Sequence, residues 1–144
     1  MSRENVELVR RGFEHWRAGR TGEWVATIDP DIAWDISAHP LPDFPDRGSG
    51  RDAFVRHMAD YFAGWTDYEA TVQESIDVGD DVVLILHERA RMRASDSILD
   101  RDLPVVWTVR NDRNVRFRVF KTRTEALEVA RLSEHAPEAD APRA

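Results

Sequence analysis

From Tyr68 to Thr122 the chain reads as four successive strand patterns, and this stretch limits the possible folds more than any other. Tyr68 to Val78 alternates moderately, and Gly79-Asp80-Asp81 is a turn. Val82 to Ala94 begins apolar with VVLIL, then alternates charged with apolar or small residues. Leu103 to Arg110 and Val115 to Thr122 flank Asn111-Asp112-Arg113-Asn114 as the arms of a hairpin. Helical patterns precede these strands. Val6, Val9, Phe13 and Trp16 recur at helical spacing between Glu4 and Ala18, with Leu8 beside them and Glu and Arg on the other face. Gly19 caps that helix, and Thr21 caps a short second one that ends before Asp29-Pro30. Ile32 to Ser37 is a strand containing Trp34, and AHPLPDFPDRGSG is loop. Arg51 to Ala63 is a third helix with Phe54, Met58, Tyr61 and Phe62 on its apolar side, and a last helix begins near Thr124. Helices first and adjacent antiparallel strands later make an α+β plan, a curved antiparallel sheet with helices packed on one face.

The size and charge of the chain narrow its partners. Its 144 residues fit one domain, expected over 1–135, with a core that needs no disulfide or metal. The tail 136–144, APEADAPRA, has no large apolar residue and reads as disordered. There is no cysteine, which excludes a disulfide scaffold, a zinc-thiolate site, an iron–sulfur cluster and a cysteine nucleophile. With 20 basic and 27 acidic side chains the formal charge is −7. Phosphate backbones and anionic membranes repel such a surface, so neither nucleic acid nor membrane is an expected partner. No apolar run approaches the ~18 residues of a membrane helix, and MSRENVEL lacks the apolar stretch of a signal peptide. A cytoplasmic protein is expected.

Several stretches resemble one known family: ENVELVRRGFEHWRAG, IDPDIAWD, RGSGRDAFVRHM, ESIDVGDDVVLILHERARMR and VVWTVRNDRNVRFRVFKTRTEALE. Together they are similar to the SnoaL-like branch of the nuclear transport factor 2-like, or ketosteroid isomerase-like, superfamily. The resemblance runs from Glu4 to about Leu132 and rests on fold-level motifs, none of them a catalytic signature. It implies a cone-like α+β barrel around a deep apolar pocket, often paired as a homodimer through the outer sheet face. It also implies a choice among isomerases, hydrolases, dehydratases, cyclases and non-catalytic binding proteins.

Hairpin parity selects the expected pocket wall. With an even number of loop residues, Val106 and Thr108 share a face with Val115, Phe117 and Val119, a small apolar set suited to a cavity. The opposite face carries Trp107, Arg116, Arg118 and Phe120, the expected homodimer contact. Trp16, Trp34 and Tyr61 are expected to line the cavity or its core, and such a lining favours a small apolar molecule. By resemblance, the carboxylate base of the ketosteroid isomerases falls on Ile36, their carboxyl donor on Val106 and their phenol on Gly12. None of the three groups is present. The Arg-x-Asp pattern of the limonene epoxide hydrolases falls on Arg89-Ala90-Arg91, which keeps the Arg alone, and their second Asp falls on Val119. The usual interior carboxylates are therefore expected to be replaced by aliphatic side chains.

The polar candidates are His87 and Arg89, which alternate with Arg91 on one strand face, and Asp35 with His39 at the pocket mouth. Facing inward, the first group would hold a carboxylate or enolate; facing outward, it would be solvated or paired with Glu69 and Glu74. An Asp35-oriented His39 would be a general base, against the alternative of a surface Asp and a loop His. His57 and Tyr61 share a helix face at i, i+4 but lack a third ligand, so no metal is expected. Two readings stay open. One is a cofactor-independent isomerase, cyclase or hydrolase of an apolar substrate, with Arg89 polarising an oxygen and His39 or His87 moving the proton. The other is a non-catalytic ligand-binding or dimerisation module of the same fold.

Overall fold

The structure is a computed structural model that describes residues 2–41 and 44–134; the tail 136–144 lies outside the described residues. Helix α1 (Ser2–Arg17) turns its Val9 side into the core, with Val6, Phe13 and Trp16 packed beside it. It ends in a Schellman motif. Gly19 adopts φ +78°, its N–H bonds the carbonyl of Trp16 at 3.1 Å, and the N–H of Arg20 bonds His15 at 2.8 Å. Helix α2 (Thr21–Ala26) buries Trp24. Thr21 is its first helical residue rather than its cap, since Arg20 holds the cap position with no side-chain bond.

Six strands form one curved, unclosed sheet among the described residues, in the order β2-β1-β6-β5-β4-β3. Strand β1 (Ile28–Asp35) begins four residues before the expected Ile32 and pairs parallel with β6 (Arg113–Val119). Its other neighbour is β2 (Arg47–Ser49), which lies inside the stretch expected to be loop. Gly48 makes that short strand possible. It sits opposite Trp34 in the register, and any Cβ there would overlap the indole ring. The indole N–H in turn donates to the Pro45 carbonyl at 3.0 Å, holding the segment down. Helix α3 (Arg51–Ala63) has the expected bounds and buries Phe54 at the centre of an aromatic cluster with Trp24, Trp34, Trp107 and Phe117.

The long strands β3 (Trp65–Val78), β4 (Asp81–Met92) and β5 (Ile98–Arg110) form an antiparallel meander. Two register shifts in β3, between Thr66 and Glu69 and between Val72 and Glu74, add the twist that bends the sheet. Its inner face carries Val82, Leu84, Leu86, Leu103, Val105, Phe117 and Val119, which pack with the N-terminal helices. The outer face is not bare. Helix α4 (Arg123–Glu134) lies across it, and Ala126, Leu127 and Ala130 cover Val83, Ile85 and Val106. Thr122 caps this helix by accepting the Glu125 N–H at 3.1 Å. Helices therefore pack on both faces, not on one, and VVLIL is apolar throughout because both of its sides are buried.

The hairpin corrects the expected pocket wall. Its loop is the even two-residue turn Asn111-Asp112, both at positive φ, as a turn of the I′ kind needs. Between that turn and the ladder Val115 is an extra residue, because Val109 faces Asn114 whereas Thr108 faces Arg116. This bulge moves every later pair by one, so Trp107, not Val106, stands opposite Phe117. Val106 and Thr108 point to the outer face, where Val106 packs under α4 and Thr108 donates to Asp81 at 2.6 Å. The expected dimer face dissolves with the same shift. Trp107 turns to the cavity, Arg118 is buried 3.3 Å from Asp81, Phe120 packs on the α4 cluster, and Arg116 alone of the four stays exposed.

Candidate functional site

Between α1, α2, α3 and the inner sheet face lies a cavity of about 70 Å³. Its wall is aromatic and aliphatic for the most part: Phe13, Trp16, Trp24, Phe62, Trp107 and Phe117 with Leu86 and Val105. A larger basin of about 910 Å³ shares Trp16, Trp24, Met58, Phe62 and Tyr68 with it. Three polar side chains reach the inner cavity, Glu88, Tyr68 and Asn114.

Glu88 is a carboxylate where an aliphatic lining was expected. It continues the Val82, Leu84, Leu86 side of β4 and is 2% exposed. The tyrosine hydroxyl of Tyr68 donates to Oε2. The guanidinium Nε of Arg101, directly opposite on β5, donates to Oε1 at 2.8 Å. Each oxygen thus accepts one bond, the pattern that an ionised carboxylate takes. Burial, with Glu88 beside it, pushes the Tyr68 phenol far above its ordinary range, so it stays protonated. Burial and then Glu88 raise Tyr61 as well.

His39 belongs to this network, not to a dyad with Asp35. Its Nε2 donates to the Phe120 carbonyl at 3.2 Å, which leaves Nδ1 to accept Arg101 Nη1 at 3.4 Å. Burial lowers the His39 pKa and Arg101 lowers it further, in keeping with that neutral tautomer. Asp35 turns away. Partial burial acts to raise it, but the Ser37 donors and Arg47 at 3.1 Å outweigh that and hold it below the usual carboxylate range.

His87 and Arg89 fall on the outer parity of β4. His87 bridges Asp100 at 2.9 Å and Asp102 at 2.8 Å, and Arg89 stands 3.7 Å from Asp100. The Asp102 bond, with the charge of Asp100, raises the His87 pKa. His87 and Arg89 are thus held by β5 carboxylates rather than by Glu74, which binds Arg123 at 2.8 Å; both side chains border the larger basin, not the inner cavity.

Of the remaining lining candidates, Trp16 and Phe117 border the cavity. Val119 shares the face of Phe117 in the core, and Ile36 and Trp34 are buried in that core away from the cavity wall. Tyr61 packs edge-on against Phe62 and Trp65. His57 stacks near Phe44 and Trp34, and no group of acids and histidines that could hold a metal occurs among the described residues. Sequence reasoning missed Glu88, Tyr68, Arg101 and Asn114. For Glu88 the sequence held no parity signal, because VVLIL is apolar at both parities; the packing of β4 places it on the side of Leu84 and Leu86.

Comparison with known proteins places this geometry. The family model of the SnoaL-like domain matches residues 9–118. No curated protein matches. Among solved structures, the chain is similar to Bal32a from a soil-derived mobile gene cassette, at 19% identity and TM-score 0.75, over 89% of this chain and 96% of that one. It is similar to an NTF2-like protein of unknown function from Burkholderia pseudomallei, at 19% identity and TM-score 0.71, over 90% and 98% of the two chains. It is also similar to TerC, co-crystallised with polyporic acid, at 16% identity and TM-score 0.69, over 88% and 97%. No described helix is long and apolar enough to cross a membrane.

Proposed function

The chain belongs to the SnoaL-like domain family, and from that premise we propose that it admits a small, largely apolar molecule to the cavity under α1 and that Glu88 moves a proton there. One observation carries this reading. A carboxylate sealed to 2% exposure stands in a wall made mostly of aromatic and aliphatic side chains, next to a phenol kept protonated by burial. An apolar site that holds one acid is suited to proton transfer at a carbonyl compound. Glu88 takes a proton from the carbon next to the carbonyl, and the electron pair passes to the carbonyl oxygen. Once protonated, Glu88 can itself donate to the Tyr68 oxygen, and the Tyr68 hydrogen is released to the new enolate oxygen. Arg101 keeps the carboxylate oriented from the strand behind it, and His39 orients Arg101. The shared rim residues let the larger basin hold whatever part of the ligand the inner cavity cannot. TerC, a protein of this fold co-crystallised with polyporic acid, supports a small-molecule reading in general.

A second reading has its own support. Both Glu88 oxygens already accept protein donors, so the acid could serve only to fix the cavity wall of a binding module. Deuterium exchange at the carbon next to the carbonyl of cyclohexanone, followed by NMR, separates the two. The acid–base reading expects exchange on the order of 10²-fold faster than buffer, lost in Glu88→Gln. Bound cyclohexanone that exchanges no faster than free leaves the binding module.

A further inference from the structure

We infer that the site takes a methyl ketone: the inner cavity admits an acetyl arm and little more, and the basin holds the flat, uncharged body that carries the arm. This rests on the reading of the cavity as the site of a carbonyl compound, but not on Glu88 moving a proton. Volume decides what enters. A cavity that holds one benzene ring measures about 150 Å³, whereas the inner cavity has about 70 Å³. Scaled to a benzene ring, that is room for roughly three heavy atoms, the carbon, oxygen and methyl of an acetyl group. A ring ketone can bring in only its carbonyl edge. The wall around those atoms is close-packed strand. Leu86, Leu103 and Val105 are buried residues of β4 and β5 that border the inner cavity and not the basin.

The rest of the molecule has to lie outside that wall, and the basin adjoins it. The inner cavity is partly open, and Trp16, Trp24, Met58, Phe62 and Tyr68 border both spaces. At about 910 Å³ the basin has the size of a ligand pocket. The rings of Trp16, Phe62 and Tyr68 stand 4.8 to 5.8 Å apart, and such a cluster favours a flat aromatic body. Charge does not select an ionic one. Arg17 pairs with Glu14 at 3.5 Å, Arg89 stands opposite Glu69 in the ladder, and His87 is held between Asp100 and Asp102. Neither sign dominates the basin. Leu86 and Val105 therefore set the size of the acyl arm, and the aromatic border sets the shape of the body.

The test compares two ketones with one body and different arms, 2-acetylnaphthalene and 2-pivaloylnaphthalene, titrated into the full chain by calorimetry. The pivaloyl arm is the more apolar, so a site without a size limit prefers it. The wild type is expected to bind the acetyl compound at least about tenfold more tightly. Val105→Ala widens the inner cavity alone, and there the ratio is expected to fall by about threefold or more. Should that variant not fold, Leu86→Ala widens the same wall. Ala59→Phe fills the basin from an exposed position on α3. It is expected to weaken 2-acetylnaphthalene about fivefold more than it weakens cyclohexanone. Equal or pivaloyl-favouring affinity in the wild type overturns the assignment. So does a ratio unchanged in the widened variant, since the arm is then sorted elsewhere, and so does an Ala59→Phe variant that treats both ketones alike. If cyclohexanone binds and neither naphthyl ketone does, the division of the ligand between the two spaces fails while the carbonyl reading stands. If cyclohexanone does not bind either, that reading falls and takes this assignment with it.

Discussion

Arg101 and Glu88 stand directly opposite each other on β5 and β4, with Nε 2.8 Å from Oε1, and form an ion pair on the inner face of the sheet. Glu88 is 3% and Arg101 28% exposed at the side chain, so the acid is the buried member and the base reaches toward the rim. Removing the base alone strands a charge in an apolar wall. Arg101→Met is expected to cost on the order of 2–3 kcal/mol, below the value for a fully buried pair because Arg101 keeps part of its hydration. Arg101→Met combined with Glu88→Leu is expected to recover most of that loss. Urea unfolding of the two variants checks both values, and an equal loss in the double variant would rule out the stranded-charge explanation.

The histidines titrate in opposite directions. His87 is raised by the Asp102 bond and the nearby Asp100, and His39 is lowered by burial and by Arg101. Proton NMR titration is expected to place His87 above 6.5 and His39 below it. Asp102→Asn should lower His87 and leave His39 in place. The consequences for stability differ in sign. A raised His87 contributes stability that is full below its unfolded value and fades as pH rises through its folded one. A lowered His39 contributes stability that is present above 6.5 and is lost as pH falls through its folded pKa. An inward-facing His87 among aromatic rings would titrate low instead.

Register at the hairpin separates stability from binding. Val106 is fully buried under α4, whereas Trp107 borders the cavity. Val106→Ala is expected to cost about 2 kcal/mol and to leave cyclohexanone affinity unchanged. Trp107→Leu is expected to weaken that affinity severalfold at a similar or smaller loss of stability. Denaturation and calorimetry on the two variants provide the readout, and a ligand effect from Val106→Ala would contradict the bulged register.

Gly48 tests the packing of the short edge strand. A methyl group there must displace the Trp34 indole, which Phe44, Phe54 and His57 confine. Gly48→Ala is expected to destabilise by about 1–3 kcal/mol, with a change in near-ultraviolet circular dichroism as the indole moves. An unchanged spectrum and midpoint would mean that β2 yields in place of the ring.

Much of the architecture was legible because periodicity reports which faces are buried. Helix α3 matches its expected bounds from Phe54, Met58, Tyr61 and Phe62, and Gly19 ends α1 as read. The site was harder for three physical reasons. VVLIL is apolar on both faces because α4 covers one of them, so it carries no parity by which to assign His87 outward and Glu88 inward. One extra residue, Val115, reversed the faces of β5 relative to β6, and a bulge has no compositional mark in NDRNVRF. The strand β2 lies among prolines and glycines, where its stability comes from the fit of Gly48 to Trp34 and not from strand propensity. The expectation of an interior free of carboxylates came from positions that carry acids in relatives, whereas the acid here enters from another point on the wall, Glu88.

The central claim is that Glu88 faces the ligand, and a carbon-13 NMR spectrum of the glutamate side-chain carboxyls tests it most directly. The resonance that disappears in Glu88→Gln is followed while cyclohexanone fills the cavity, as judged by quenching of Trp16, Trp24 and Trp107. We predict that this resonance shifts on saturation while those of exposed acids such as Glu7 and Glu128 stay fixed. Saturation of the tryptophan signal with the Glu88 resonance unmoved would contradict the account.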